Sequence, residues 1–443
     1  MTKIGIETGA EVPGSSLAAA GKTFLEFFAG IGLVRVGLEP SGWSCVYAND
    51  LDPKKRKLYA GRFGDDDQFH LGDVWDREQV LARLSTPAFL STASFPCVDL
   101  SLAGKWKGLD GAHSSAFFGF TNVLEGLGER KPSLVLIENV TGFVASRDGQ
   151  DFESATRSLA ELGYWLDAFV LDAAHFIPQS RPRVFIVGVH DRLGEPPMAR
   201  RGSGGGWLVD PWVQRIERAG KSIRPSRLVE LMKRIKLPTG WAAFRMPLPD
   251  GPRRDIAELI DLDDAQDWWD EPAVVKHHDM MSDLHRRHVD GLLAAGGTHV
   301  GTIYRRKRYG KTRAETRFDG IAGCLRTPKG GSGRQIVVVV DRGRLRMRWM
   351  SPREYARLQG VDNFPLGENT IQNLYGFGDA VCAPVISWID AHILTPVYEW
   401  AREGAENNPG RPRPLRSLLP REPAEDAAPF ARELETPKIR EVG

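Results

Sequence analysis

The sequence predicts an α/β fold with a mainly parallel sheet, together with a smaller domain of irregular structure. From residue 23 onward, short apolar runs alternate with stretches of helical periodicity, which is the pattern of a parallel sheet covered by helices. Several runs end in a polar residue, and ligands of such sheets bind beyond the carboxyl ends of the strands. After residue 190 the alternation stops, and glycine-, proline- and acid-rich stretches follow.

Each predicted element has a local signal. The run TFLEFFAG leads into a helical pattern over 31–42, and SCVYAND follows as a second strand. QFHLGDV and FLSTASF indicate short strands, SLVLIENV is apolar as in a buried strand, and VFIVGVH is another. Near the end, QIVVVV predicts a strand, and Ser351 with Glu354 has the spacing of a helix capping box.

Composition and charge exclude several classes of protein. Hydrophobic and charged residues make up 42% and 26% of the chain, as in soluble globular proteins, and no apolar run approaches the roughly 20 residues of a membrane span. Four scattered cysteines indicate neither a disulfide framework nor a zinc site, so a reducing cytoplasm is the expected location. Residues 191–340 hold 27 Lys and Arg against 19 Asp and Glu, which favours a polyanionic partner, nucleic acid before membrane.

The stretch EFFAGIGLVRVGLE places Gly30 and Gly32 between a strand and a helix. Glycines there let a ligand approach the backbone, and the helix start offers free N–H groups. No Gly-Lys-Thr of a P-loop follows, so a nucleotide-like cofactor without a phosphate tail fits better than a nucleoside triphosphate. Asp50 and Asp73, at the ends of the next two strands, suit ribose hydroxyls and an adenine amino group. A simple packing turn also explains two glycines, but the paired carboxylates favour a cofactor.

Three further strand ends carry groups that suit catalysis. Cys97 follows a strand in SFPCVDLS; a lone buried cysteine is most often inert, but this position favours a nucleophile. Glu138 ends an apolar strand, where partial burial would raise its pKa and let it donate a proton, unless it lies in a surface turn. Arg181 and Arg183 are two apart at the head of a strand, so both should face one side and suit a carbonyl oxygen or a phosphate.

Taken in order, these motifs resemble those of the DNA cytosine-5 methyltransferases, which use S-adenosylmethionine. The matching stretches are FAGIGL, ND, GDV, FPC, ENV, QSRPR, then RWMSPREYARLQGVDNFP as the ninth motif and NLYGFGDAVCAPVISWI as the tenth. The resemblance covers residues 23–190 and 320–395 and leaves the variable target-recognition region between them. It implies a Rossmann-like S-adenosylmethionine-dependent methyltransferase domain with a smaller, irregular target-recognition domain.

The resemblance also implies a role for each matching residue. Cys97 would be the nucleophile, Glu138 the acid at N3 and the amino group of the base, and Arg181 with Arg183 the groups that hold the base and the thiol region. The residues implied for the cofactor are Phe28, Gly30, Ile31, Gly32, Asp50, Leu51, Asp73, Val74, Pro96, Asp379 and Ala380. Those expected at DNA are Ser101, Lys105, Arg305, Arg306, Lys307, Arg308 and Arg326, and no metal is expected.

Five segments follow from the patterns and the resemblance. We expect a flexible leader (1–21), the first part of the catalytic domain (22–190), a DNA-reading domain (191–340), a return segment that completes the catalytic domain (341–402) and a disordered tail (403–443). The implied activity is methyl transfer to C5 of a cytosine that is flipped out of a specific double-stranded DNA site. The expected protein is a monomer that marks host DNA, with a restriction or defence protein as a possible companion.

Two positions depart from the family pattern. Val98 stands where glutamine is usual, and Asp379 stands where asparagine is expected, so a carboxylate there could repel the carboxylate of the cofactor.

Two other functions stay open. A transfer RNA cytosine-5 methyltransferase would share the motifs, although the long insert suits a duplex. A DNA-binding regulator without activity would share the fold, although Cys97 and Glu138 are both intact.

Overall fold

The main sheet of the protein has nine strands. The computed structural model describes residues 21–65, 67–96, 116–202, 223–249, 254–263, 266–328 and 333–407. The strands of the main sheet are β1 Thr23–Phe27, β2 Ser44–Asp50, β3 Phe69–Leu71, β4 Leu90–Ala93, β5 Leu134–Val140, β6 Tyr164–Asp172, β7 Pro182–His190, β8 Ala199–Gly202 and β9 Trp241–Phe244. Their order across the sheet is β3-β2-β1-β4-β5-β7-β6-β9-β8.

The first five strands of this sheet are parallel, which confirms the predicted fold class. β7 then runs antiparallel between β5 and β6. Side chains alternate along a strand, so Phe24 on β1 enters one hydrophobic cluster while Leu25 and Phe27 enter another. These two clusters form the cores on the two faces of the sheet. The carboxyl ends of β1, β2, β4 and β5 therefore share one edge of the sheet.

Helices cover both faces of the sheet. Those in the described residues are α1 Leu33–Leu38, α2 Pro53–Phe63, α3 Arg77–Arg83, α4 Ala116–Gly126, α5 Gly142–Ala145, α6 Gln150–Glu161, α7 Ser226–Arg234, α8 Glu271–Asp279, α9 Asp283–Ala295, α10 Pro352–Arg357, α11 Thr370–Asp379, α12 Ala383–Ile389 and α13 Thr395–Asn407. The capping box predicted at Ser351 is confirmed. Its hydroxyl accepts from the Glu354 N–H at 3.2 Å, and its own N–H donates to the Glu354 carboxylate at 2.8 Å.

A second, antiparallel sheet lies in the later part of the insert. Its strands, in the order β11-β10-β12-β13, are β10 Thr298–Arg308, β11 Lys311–Arg317, β12 Ile336–Asp341 and β13 Arg344–Trp349. Both hairpins turn on two residues with positive φ, Tyr309–Gly310 and Arg342–Gly343, which suits the twist of paired strands. This second sheet continues past residue 340, the predicted end of the DNA-reading domain. β8 and β9, which follow residue 190, belong to the main sheet, and α7 packs in one of its two cores. The division into domains at 190 and 340 stays a prediction.

The helices after the insert complete one face of the main sheet. A β-carbon on Gly37 of α1 would lie 2.7 Å from the Ile386 β-carbon of α12. A β-carbon on Gly376 of α11 would lie 2.8 Å from Ile31 Cγ2 and 3.0 Å from Leu58 Cδ1. Glycine at these two positions lets α12 lie directly on α1, and lets α11 lie directly on the turn after β1 and on α2.

Within the part of the chain that the structure describes, one stretch is long and apolar enough to cross a membrane by length and composition alone, Thr370–Gly404. More than half of its most apolar 18 residues, 56%, is buried inside the protein, and Ile389 and Ile393 belong to the core of the main sheet. The core helix of a soluble protein gives the same signal. α13 extends to Asn407, past residue 403 where we placed the start of the tail. The remaining tail and nearly all of the leader lie outside the described residues.

The close packing at Gly37 generates a stability prediction. Gly37→Ala should destabilise the protein by about 1–3 kcal/mol, because the added methyl group overpacks the contact with α12. Gly61→Ala on α2 is the matched control, since its β-carbon would meet no described atom within 4 Å. Alanine should stabilise that exposed helix by about 0.5–1 kcal/mol. Denaturant unfolding measures both; a shift of the same sign in the two variants would contradict the packing argument.

Candidate active site

The turn after β1 has an unusual backbone. Phe28, Gly30 and Gly32 all have positive φ, of 56°, 58° and 82°. A β-carbon at Gly32 would lie 2.4 Å from Phe63 and 2.8 Å from Tyr59 of α2, so glycine is required there for packing. A β-carbon at Gly30 would meet no described atom within 4 Å, so this glycine borders open space. Positive φ at Phe28 costs about 1–3 kcal/mol, a cost usually found at functional sites.

Asp50, at the end of β2, holds this turn in place. One carboxylate oxygen accepts from the N–H of Gly30 at 2.9 Å, and the other accepts from the N–H of Asp52 at 2.9 Å. Asn49, its neighbour, donates from its side chain to the carbonyl oxygens of His70 and Gly72 at 3.1 and 2.9 Å. These hydrogen bonds tie together the ends of β1, β2 and β3 around Asp50, the residue predicted to bind the cofactor.

The residues predicted on the adenine side border the same edge of the sheet. Leu51 is 66% exposed, which is high for a leucine and leaves an apolar surface beside Asp50. Asp73 is exposed and accepts from the N–H of Trp75 at 3.0 Å, whereas Val74 is buried. Open space at Gly30, two carboxylates and an uncovered apolar side chain are groups that fit the ribose and base of an adenosine. The residues present therefore fit the predicted cofactor.

Glu138 lies at the carboxyl end of β5, next to the end of β4. Its carboxylate is 3.0 Å from the guanidinium of Arg183 and also accepts from the hydroxyl of Ser94. Burial raises the pKa of Glu138 and outweighs the opposing attraction of Arg183 and Arg181. Its neighbour Asn139 donates to the Phe95 carbonyl at 3.1 Å. Glu138 is thus a desolvated acid attached to the chain segment that leads into Cys97.

Arg181 and Arg183 do different things in the structure. Arg183 pairs with Glu138, whereas Arg181, only 2% exposed, donates to the carbonyl oxygen of Leu325 at 2.9 Å. Its guanidinium also bonds to the Gly378 and Ala380 carbonyls, at 3.1 and 2.6 Å. Both guanidinium groups contact the Cys324 sulfur, at 3.3 and 3.8 Å, so they do face one side as predicted. Within the described residues, Arg181 therefore holds together the backbone at Leu325 and the backbone at the end of α11.

The remaining predicted site residues fall into three groups. Cys97, Ser101 and Lys105 lie outside the described residues. Asp379 ends α11 and pairs with Lys55 of α2 at 3.1 Å, while the Ala380 carbonyl accepts from Arg181. Pro96 is half-buried, directly after the Phe95 carbonyl that Asn139 holds, and Ile31 is buried in the core beneath the turn.

The basic run predicted at DNA forms the end of β10. Arg305 stacks on Trp349 at 4.6 Å, while Arg306 and Arg308 both pair with Glu315, at 3.5 and 2.8 Å. Lys307 is exposed, and so is Arg326 in the segment between the two hairpins. The hydroxyl of Tyr304, on the same strand, donates to the Cys324 carbonyl at 2.7 Å. β10 therefore carries the basic residues at one end and contacts, through Tyr304, the residue Cys324 that Arg181 and Arg183 both touch.

Sequence reasoning missed three residues at this site. Ser94 interacts with Glu138, Lys55 pairs with Asp379, and Cys324 contacts both arginines. The sequence did contain one indication of Lys55, the unusual acid at Asp379, because a carboxylate in a binding site usually has a cation as its partner. Nothing near Cys324 in the sequence pointed to Arg181, since the two are joined only by the fold.

Glu26 is a second buried acid close to the turn. One oxygen accepts from the N–H of Arg35 at 3.2 Å, and the other has no hydrogen-bond partner among the described residues. Burial raises its pKa to about 8, against the weaker opposing effects of the Arg35 N–H and charge. Glu26 is therefore protonated in the folded protein at neutral pH.

Comparison with solved structures shows which fold the chain has. The S. pombe Dnmt2 methyltransferase matches with a TM-score of 0.51 and 17% identity, over 85% of this chain and 98% of that chain. The Entamoeba histolytica methyltransferase EhMeth matches with a TM-score of 0.53 and 14% identity, over 85% and 98%. At such low identity these likenesses show the fold alone, which is that of an α/β methyltransferase.

Sequence comparison defines the family. The sequence model of the C-5 cytosine-specific DNA methylases matches residues 22–395, and the chain belongs to that family. It is 33% identical to the type II methyltransferase M.HhaI of Haemophilus parahaemolyticus over 168 residues, which is 38% of this chain and 49% of the relative. It is 31% identical to M.HpaII of Haemophilus parainfluenzae over 175 residues, 39% and 47% of the two. The chain thus spans about half the length of these curated relatives.

The buried acid predicts a pH dependence of stability. The folded-state pKa of Glu26, about 8, lies above its ordinary value of 4.5, so its contribution is full below pH 4.5 and declines as the pH rises to 8. Compared with Glu26→Gln, which cannot ionise, the wild-type free energy of unfolding should fall by up to about 1.4 kcal/mol per pH unit across this window. Denaturant unfolding of both proteins at pH 5, 6.5 and 8 measures the difference; parallel curves would contradict it.

Proposed function

We propose that this protein transfers a methyl group from S-adenosylmethionine to C5 of a cytosine that is flipped out of a specific double-stranded DNA sequence. The observation that carries the proposal is that the buried acid Glu138 lies 3.0 Å from Arg183 while its neighbour Asn139 donates to the Phe95 carbonyl at 3.1 Å. Phe95 is two residues ahead of Cys97 in the sequence, so the strand that bears the acid is attached to the segment that bears the proposed nucleophile. Family membership and the open glycine turn beside Asp50 support the same chemistry.

The proposed mechanism begins with activation of the base. C5 of cytosine is too weak a nucleophile to attack a methyl group by itself. Addition of the Cys97 thiolate to C6, while Glu138 holds a proton on N3, converts the ring into an enamine whose C5 is nucleophilic. Loss of the C5 proton and release of Cys97 after methylation restore the aromatic ring. The raised pKa of Glu138 supports this role, since it favours the protonated acid that can donate to N3.

The proposed cofactor supplies a methyl group on a positively charged sulfur. Asp50 would hold the ribose hydroxyls, Leu51 would lie on the adenine, and Asp73 with Val74 would contact its edge. The turn of Phe28, Gly30, Ile31 and Gly32 would border the methionine end, together with Pro96, Asp379 and Ala380. In this proposal Arg183 orients Glu138 for the base, and Arg181 holds the segments around the pocket.

The proposed DNA contacts come from the insert and from the segment after Cys97. C6 of a stacked cytosine is out of reach, so the base must leave the duplex, which costs a few kcal/mol. We propose that Arg305, Arg306, Lys307, Arg308 and Arg326 contact phosphates, with Ser101 and Lys105 close to the extruded nucleotide. Phosphate contacts position the protein, while other insert side chains would select the sequence.

The proposed setting is host-DNA marking in the cytoplasm, at the nucleoid. The relatives named above are type II methyltransferases, which is what supports this proposal. We propose that the protein acts as a monomer on duplex DNA and that a restriction or other defence protein accompanies it. Bisulfite sequencing of DNA from cells that express the protein would report both the activity and the target sequence.

The covalent step gives the decisive test. Wild-type protein should form a covalent adduct with duplex DNA that carries 5-fluorocytosine at the target, because fluorine blocks the final loss from C5. Cys97→Ser should form no adduct and lose methyl transfer by more than a hundredfold, yet bind DNA with an affinity within about threefold of wild type. Cys324→Ser is the matched control, since that thiol contacts Arg183, the partner of Glu138, and it should still form the adduct. Denaturing electrophoresis measures the adduct.

Three outcomes would overturn the proposal. An adduct that persists in Cys97→Ser and disappears in Cys324→Ser would move the nucleophile to the other thiol. Methyl transfer into transfer RNA without transfer into duplex DNA would make the protein an RNA enzyme. DNA binding with no adduct in the wild-type protein would make it a regulator that lacks the reaction.

The basic hairpin generates a prediction about salt dependence. Lys307 and Lys311 are exposed on either side of its tip. Replacing both with glutamine should reduce the slope of log Kd against log salt by about 1–2, because each lost phosphate contact removes about 0.9. The control is Lys233→Gln with Lys236→Gln near α7, an equal loss of charge away from the hairpin. Fluorescence anisotropy across salt concentrations measures the slope; equal slopes for the two variants would exclude the hairpin from the phosphates.

A further inference from the structure

The acid at Asp379 has a specific partner. Lys55 of α2 places its ammonium nitrogen 3.1 Å from a carboxylate oxygen of Asp379, the last residue of α11. The Lys55 side chain is 22% exposed and the Asp379 side chain 49% exposed. The pair therefore joins two helices far apart in sequence at a site that a ligand can still reach.

Lys55 lies among acids that belong to the proposed cofactor pocket. Its charge interacts with Asp379, Asp50 and Asp52, and Asp50 is the residue that holds Gly30. Burial alone would lower the pKa of Lys55, but the attraction of these acids outweighs burial and raises the pKa, so the side chain keeps its charge. Lys55 is thus a cation that faces three carboxylates at the border of the open turn.

The packing of α11 explains why this pair lies at the pocket. Gly376 lets the helix lie against Ile31, within the turn after β1, and against Leu58 of α2. Asp379 follows one turn later along α11, while Lys55 precedes Leu58 by one turn along α2. The contact of the two helices brings the two charged ends together beside the turn.

We propose that Lys55 is a cofactor-binding residue, which offsets the charge of Asp379 and donates to the carboxylate at the amino-acid end of S-adenosylmethionine. This inference rests on the proposed function. A carboxylate at Asp379 alone would repel the cofactor carboxylate, whereas the ammonium group of Lys55 attracts both. An ion pair that is partly exposed to solvent contributes little to stability by itself. We therefore assign this pair a role in cofactor binding rather than in stability.

Two nucleosides separate this role from a structural one. S-Adenosylhomocysteine carries the amino-acid end of the cofactor, and 5′-methylthioadenosine lacks it. Lys55→Met should weaken binding of S-adenosylhomocysteine tenfold or more and change binding of 5′-methylthioadenosine by less than twofold. Lys55→Arg, which keeps the charge, should stay within about threefold for both. Isothermal titration calorimetry on the full chain measures each affinity, and circular dichroism checks that each variant is folded.

Two further variants complete the experiment. Lys55→Met combined with Asp379→Asn should recover part of the lost affinity for S-adenosylhomocysteine, because the repelling charge is then gone while the donor is still missing. Lys57→Met is the matched control, since this lysine is exposed on the same helix, and it should bind both nucleosides like wild type.

The inference is overturned by equal losses for the two nucleosides, which would mean that the pair only fastens α11 to α2. It is overturned as well by unchanged affinity in Lys55→Met. A wild-type protein that binds neither nucleoside would overturn the cofactor assignment under the proposed function and this inference with it. Binding by wild type with no effect of Lys55 would leave the proposed function standing.

Discussion

The rest of the site depends on the hydrogen bonds made by one buried group, the guanidinium of Arg181. It lies at the head of β7 and bonds to the carbonyl oxygens of Leu325, Gly378 and Ala380, which come from the end of the insert and from the return segment. A buried charge that loses its partners costs about 3–5 kcal/mol. The protein therefore reaches its folded state only when these remote segments have met, and their meeting holds the end of α11, which packs on the turn after β1.

Glu26 and Glu138, two buried acids of the main sheet, show how surroundings separate similar groups. Burial raises the pKa of both Glu26 and Glu138. Glu138 also touches Arg183 and Ser94, at the edge of the sheet where ligands bind. Among the described residues, Glu26 has only the Arg35 N–H as a hydrogen-bond partner, and it faces the interior beneath α1. The same type of side chain thus lies at the ligand-binding edge of the sheet in β5 and in the interior in β1.

Local patterns predicted much of the fold and part of the site. The glycine turn, the carboxylate of Asp50, the acid at the end of β5 and the capping box at Ser351 each depend on residues close together in sequence. The missed contacts are long-range, such as the bond from Arg181 to Gly378, whose residues are 197 apart. The second sheet was only partly predicted, because the alternating charges of RLRMRW hide β13 from a search for apolar runs.

The order of elements along the chain also constrains its synthesis. β1 and α1 leave the ribosome early, but the helices that cover them, α11 and α12, are made hundreds of residues later. Until then the apolar face that includes Phe24 and Val34 has no cover and is open to aggregation or to a chaperone. Because α11 and α12 both shield this face and border the proposed pocket, a nascent chain cannot complete that pocket before the segment Ala383–Ile389 has been translated.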